Sequence, residues 1–168
     1  LFGDERVADP DTLYGKELLV IWQESVNLLS DCLARCRNDG IQYYLPVSKS
    51  VMEELADNLS VATGVEWTAR DLQLAADRIY SLEQAFCIRE GIQREHYRIP
   101  WRFANEPIPN GIFRGRIVTQ PELEELLDRY LERRGWDIRT TIPTRKKLVE
   151  LGLTKVADEL DKLLPIPG

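Results

Sequence analysis

"TARDLQLAADRIYSLEQAFCIREG", residues 68–91, is the stretch whose reading decides the fold. Leu72, Ala75, Ala76, Ile79, Leu82 and Phe86 recur three or four positions apart, which is helix spacing and not the alternation of a strand. Thr68 precedes the stripe and Asp71 follows it by three, so each side chain can satisfy a free N–H beside the other. Gly91 stops the helix. The stretches on either side repeat this grammar. Ser50 with Glu53 opens a helix carrying Val51, Leu55 and Leu59, ended by Gly64. Thr119 with Glu122, and Pro121 in the first turn, opens another carrying Leu123, Leu126, Leu127, Tyr130 and Leu131, ended by Gly135. Thr144 caps a short helix closed by Gly152, and Thr154 caps a last one before Pro165.

Upstream, residues from Gly15 to about Arg35 place Leu18, Ile21, Trp22, Leu28, Leu29, Cys32 and Leu33 on one wide apolar side, with Ser25 and Asn27 interrupting it. Asn38-Asp39-Gly40 is turn chemistry and is expected to stop that helix. "IQYYLPV" is the best strand candidate, and Pro46 limits it to an edge or an extended link. Residues 92–118, with Pro100, Pro107, Pro109, Gly111 and Gly115, predict a long loop without regular helix. The fold expected is all-α: an irregular bundle of five or six helices with one long proline-rich loop, and residues 1–168 as a single helical domain.

The totals exclude several functions. Lys plus Arg number 22 and Asp plus Glu 28, a net charge of -6. Nucleic-acid binders need a basic face to neutralise phosphate, so no nucleic acid is expected. No apolar run is long enough to span a bilayer and no signal peptide opens the chain, so no membrane is expected. Three cysteines cannot complete a disulfide framework, which fits a reducing, cytoplasmic setting. The opening on Leu1, followed by residues of no clear period, is read as a cut inside a longer protein.

Chemistry concentrates in "NLLSDCLARCRNDG", residues 27–40. Cys32 and Cys36 stand on neighbouring turns of one helix face. Spacing alone favours two small buried residues. A closed zinc or iron–sulfur site wants four ligands. Cys87 and His96 are the remaining soft candidates, the first on a helix stripe and the second in a loop. A self-contained metal site is therefore not expected, whereas one shared with residues elsewhere is open. Asp31, Arg35, Arg37 and Asp39 crowd the same helix end, and arginines beside a thiol favour the thiolate that metal ligation requires.

Four stretches, in order, resemble the C-terminal helical region of the aldehyde ferredoxin oxidoreductase family of tungsten enzymes: "DPDTLYGKELLVIWQESVNLLSDCLARC", residues 68–91 above, "REHYRIPWRFANEPIPNG", and "LEELLDRYLERRGWDIRTTIPTRKKLVELGLTKVADEL". The family carries a D-x-x-G-L-C motif whose aspartate bonds the pterin of the tungsten cofactor and whose cysteine ligates a four-iron, four-sulfur cluster. Laid on "DCLARC", the resemblance implies Asp31 at the pterin, Cys36 at the cluster and Cys32 as an ordinary helix residue. Ala34 stands in place of the motif's glycine, and Arg35 in place of its leucine. Arg35 is taken as a further cofactor-side residue, a cation able to tune the cluster potential.

The resemblance further implies a tungsten bis-pterin and a 4Fe-4S cluster in the full-length protein, neither held by this segment alone. It implies aldehyde oxidation with electron transfer to ferredoxin or an electron-transfer subunit, and partners in the N-terminal domains of the same protein. A homodimer is compatible with it. No catalytic residue is placed in this chain, and the isolated segment is expected to be inactive. The competing reading is a helical interaction or scaffold module with no redox role.

Overall fold

Three reciprocal caps form as the spacing predicts. Ser50 N donates to Glu53 Oε2 at 2.7 Å, Thr68 N to Asp71 Oδ2 at 2.9 Å and Thr119 N to Glu122 Oε2 at 2.7 Å. Each cap's hydroxyl in turn accepts the backbone N–H three residues on. The computed structural model describes residues 3–36 and 50–167. Among them are seven α-helices: α1 (Lys16–Cys32), α2 (Val51–Thr63), α3 (Ala69–Arg89), α4 (Trp101–Asn105), α5 (Gln120–Arg134), α6 (Arg145–Glu150) and α7 (Thr154–Leu163). No strand occurs among the described residues; the lone bridge pairs Trp136 with Pro143. The all-α expectation holds. "IQYYLPV" lies outside the described residues.

The elements depart from expectation at three places. The proline-rich stretch contains one short helix, α4, because Pro100 is followed by six residues free of proline and glycine. The last helix takes Thr154 as its first residue and Leu153 as its cap, without a side-chain bond. In α3, Leu82 and Phe86 are exposed at 44% and 54%, while Ser81, Gln84, Ala85 and Ile88 are buried. The buried face shifts along α3 because its two halves pack against different partners.

That division organises the molecule. The first half of α3 offers Leu72 and Ala76 to Val26 and Leu29 of α1 and to Met52, Leu55 and Ala56 of α2. Its second half offers Ala85 and Ile88 to Leu160 of α7 and to Ile142. Helix α5 lies against α1, with Leu127, Leu131 and Trp136 forming a third cluster beside Tyr80, Tyr97 and Tyr130. Of the two residues that interrupt the α1 stripe, Ser25 is buried and Asn27 half-buried, and Ser30 further along is buried as well. Ser25 Oγ donates to Ile21 O at 2.8 Å and Ser30 Oγ to Val26 O at 2.9 Å, so each small side chain satisfies itself within the helix. Ser25 also accepts from Gln73 of α3 at 3.1 Å.

Arg134, the last residue of α5, is 3% exposed. Its guanidinium reaches Glu24 of α1 at 2.8 Å and Asp77 of α3 at 3.0 Å, and lies 4.5 Å over the Tyr80 ring. Tyr130 donates to the same Glu24 oxygen at 2.9 Å. Burial opposes the charge on Arg134, but Tyr130 and Glu24 around it hold its proton more firmly than water does. Gly135 then turns the chain at φ 72°, where a side chain would meet Lys147 at 3.1 Å. At the start of α1, Gly15 adopts φ 66° against Val7, and Lys16 Nζ donates to the carbonyls of Val7 and Asp9, both at 2.6 Å.

Two outcomes follow. Arg134→Met leaves Glu24 and Asp77 without their shared cation and is expected to cost about 3 kcal/mol of unfolding free energy in urea titration. Burial, next to the Glu24 carboxylate, also raises the Tyr130 and Tyr80 hydroxyls above their ordinary range. The folded protein therefore keeps these protons where the unfolded chain releases them, above roughly pH 10. Their contribution is complete below that pH and declines as pH rises further, by up to about 1.4 kcal/mol per pH unit from Tyr130. Chemical denaturation across pH 9 to 11 checks it (about one unit either side of the ordinary tyrosine pKa).

Candidate metal and cofactor site

Helix α1 ends where the sequence places its chemistry. Arg35 N donates to Ser30 O at 2.8 Å and Ala34 N to Asp31 O at 3.2 Å. These two bonds define a Schellman turn, which needs a left-handed residue between them. Ala34 occupies that place at φ 54°. The helix thus stops at Cys32, ahead of the Asn38-Asp39-Gly40 expected to stop it, which lies outside the described residues together with Arg37.

The turn is held on both flanks. Leu33 packs against the α1–α2–α3 core cluster. The Arg35 guanidinium, 19% exposed, lies 3.6 Å from Glu54 of α2. Between and beyond these anchors the functional candidates face outward: Asp31, Cys32 and Cys36 are exposed. The spacing-based expectation of two buried cysteines is therefore not met. The helix ends one turn earlier than that spacing assumes, and Cys36 falls outside it. Asp31 sits in the last turn of α1, where no basic residue is present and the helix dipole disfavours a carboxylate.

Asp31, Arg35 and Cys36 are thus brought to one helix end. Cys87 and His96 are elsewhere: Cys87 is half-buried on α3, and His96 is exposed in a 3-10 turn, its Nδ1 accepting from Gln93 N at 3.0 Å. Among the described residues no group of three or more His, Cys, Asp or Glu side chains could hold a metal ion. All three cysteines are free. An outward thiol just past a fixed turn fits a role as one donor of a set completed from outside the described residues. No helix among the described residues is long and apolar enough to cross a membrane.

Sequence reasoning missed the Arg134 network and an apolar cavity beside it. The available signal was Arg134 itself, three positions after Leu131 on the inner face of α5, where a charge needs partners.

Comparison with known proteins identifies the family. A family model described as aldehyde ferredoxin oxidoreductase, domains 2 and 3, matches residues 3–153. The tungsten-containing aldehyde ferredoxin oxidoreductase of Thermococcus kodakarensis is 33% identical over 104 residues, which is 61% of this chain and 16% of that protein. That of Pyrococcus furiosus is 34% identical over 104 residues, with the same coverage. Among solved structures, a chain of the active site complex BamBC of benzoyl coenzyme A reductase, in complex with 1,5-dienoyl-CoA, aligns with a TM-score of 0.72 at 27% identity. That alignment covers 92% of this chain and 22% of that one. The chain therefore spans about a sixth of the length of the curated relatives it matches.

Ala34 gives a test of the turn. A left-handed alanine costs about 1 kcal/mol relative to glycine. Ala34→Gly is expected to stabilise the protein by about that amount and raise the melting temperature by roughly 2–4 °C, measured calorimetrically. No change would mean that the turn relaxes out of the left-handed region.

Proposed function

Since this chain belongs to the aldehyde ferredoxin oxidoreductase family, we propose that it is a single helical unit in the C-terminal part of a cytoplasmic tungsten–pterin, iron–sulfur oxidoreductase. That enzyme oxidises aldehydes, or a related two-electron substrate, and delivers the electrons to ferredoxin or an electron-transfer subunit. The observation that carries the reading is Cys36, an exposed thiol immediately beyond the fixed end of α1. It stands at the position where the family's motif has its cluster cysteine.

In this reading Cys36 gives its thiolate as one ligand of a four-iron, four-sulfur cluster, and Asp31 accepts hydrogen bonds from a pterin. When bound, the tungsten–pterin centre supplies the two-electron oxidation and the cluster supplies single-electron relay. The chain's own contribution is orientation and charge. Leu33 and the Arg35–Glu54 contact fix the turn, so that Asp31 and Cys36 leave α1 in a set direction. Arg35 shares its charge with Glu54, which reduces its influence on cluster potential and gives it mainly a positioning role. The remaining cluster ligands and the acid–base residues belong to the N-terminal domains of the same protein, and this segment alone is inactive.

The reading is tested by iron and acid-labile sulfide analysis of the full-length protein. Cys36→Ser is expected to lose most cluster iron and sulfide, whereas Cys32→Ser retains them. Full cluster content in Cys36→Ser would remove the ligand assignment.

A further inference from the structure

The residue before Cys36 carries a charge where the family's motif has a leucine. Arg35 is anchored twice. Its N–H donates to Ser30 O at 2.8 Å, which closes the Schellman turn. Its guanidinium lies 3.6 Å from the Glu54 carboxylate of α2, with 19% of the side chain exposed. Consecutive Cα atoms are about 3.8 Å apart, so this cation is held within roughly a Debye length, about 10 Å, of Cys36.

Glu54 serves this contact because the acid beside it does the capping. Glu53 accepts the Ser50 N–H at 2.7 Å and the Ser50 hydroxyl at 2.8 Å. Glu54 stands in the same first turn of α2 and pairs instead with Arg35. The positive end of the α2 dipole favours its ionised form.

A cation near an iron–sulfur cluster favours the reduced state, which is the more negative one, and so raises the potential. A carboxylate paired with that cation offsets the effect. We propose, on the reading of Cys36 as a cluster ligand, that Glu54 holds the cluster potential down by neutralising Arg35. Glu54 acts through Arg35 and is a positioning residue, not a catalytic one.

The experiment is a potentiometric dithionite titration of the full-length protein, followed by the EPR signal of the reduced cluster, with iron and acid-labile sulfide measured in every variant. Glu54→Gln uncovers the arginine and is expected to raise the midpoint potential. At the wild-type midpoint its ratio of reduced to oxidised cluster rises about three- to tenfold. Arg35→Met keeps the aliphatic stem, leaves the carboxylate unopposed and is expected to move the midpoint the other way. The double variant is expected to return close to wild type, and Glu54→Asp to stay there. A pair with a purely structural role behaves differently, because breaking it from either side gives the same perturbation and the two single variants shift together. Shifts of the same sign, an unmoved midpoint in Glu54→Gln, or loss of cluster iron from Glu54→Gln would overturn the proposal. The ligand assignment is read separately from Cys36→Ser. It stands, whatever the midpoints do, if that variant loses the cluster, and full cluster content there would remove the assignment and the proposal together.

Discussion

A guanidinium taken out of water must be surrounded by acceptors, and Arg134 imposes that condition on three helices at once. Its charge is met by Glu24 from α1 and Asp77 from α3, and its flat face by Tyr80. Each partner sits mid-helix, so satisfying the arginine fixes the axial position of α1, α3 and α5 relative to one another. Apolar packing alone tolerates sliding by a turn; a set of charged hydrogen bonds with defined directions does not. Removing one member of such a set exposes the others to an uncompensated environment, which is why the network acts as a unit.

The same logic operates at the far end of α1 with weaker forces. A Schellman turn, a leucine in the core and one partly exposed ion pair fix where the chain leaves the helix. The left-handed alanine shows that the turn is imposed by its surroundings and is not chosen by local preference. The residue at this place must reverse the backbone, and the two bonds that enclose it, together with Leu33, outweigh the strain. Glycine would adopt the same conformation without that strain.

What was legible in the sequence follows from how local each cause is. Capping pairs three residues apart, and glycines after apolar stripes, announce helix ends without reference to the rest of the chain. Ser50, Thr68 and Thr119 were therefore readable. The faces of the helices were less so. Leu82 and Phe86 continue the apolar stripe of α3, yet the helix changes partner halfway and leaves them at the rim, with Arg89 lying over Phe86 at 4.7 Å. Ser25 reads as an interruption but is buried, as is Ser30, because a hydroxyl bonded to its own helix packs as a small neutral group. The clustering of Asp31, Arg35 and Cys36 was visible from spacing and resemblance. The outward direction of Cys36 depended on the turn at Ala34 that ends the helix, and alanine gives no stop signal.

Helix α1 runs from the apolar cavity to the candidate cofactor site. Glu17 and Val20 in its first turns line the cavity, Glu24 in its middle holds Arg134, and Cys36 lies past its end. A helix of 17 residues spans about 25 Å and transmits displacement as a rigid body. With Glu24 clamped, α1 cannot slide along its axis without breaking the arginine network. Filling the cavity can therefore reach Cys36 only through tilt or rotation about that clamp. Such a motion would also disturb Leu29 and Val26 against α2 and α3. The close packing there resists it, so the clamp that sets the register of the fold also insulates one end of α1 from the other.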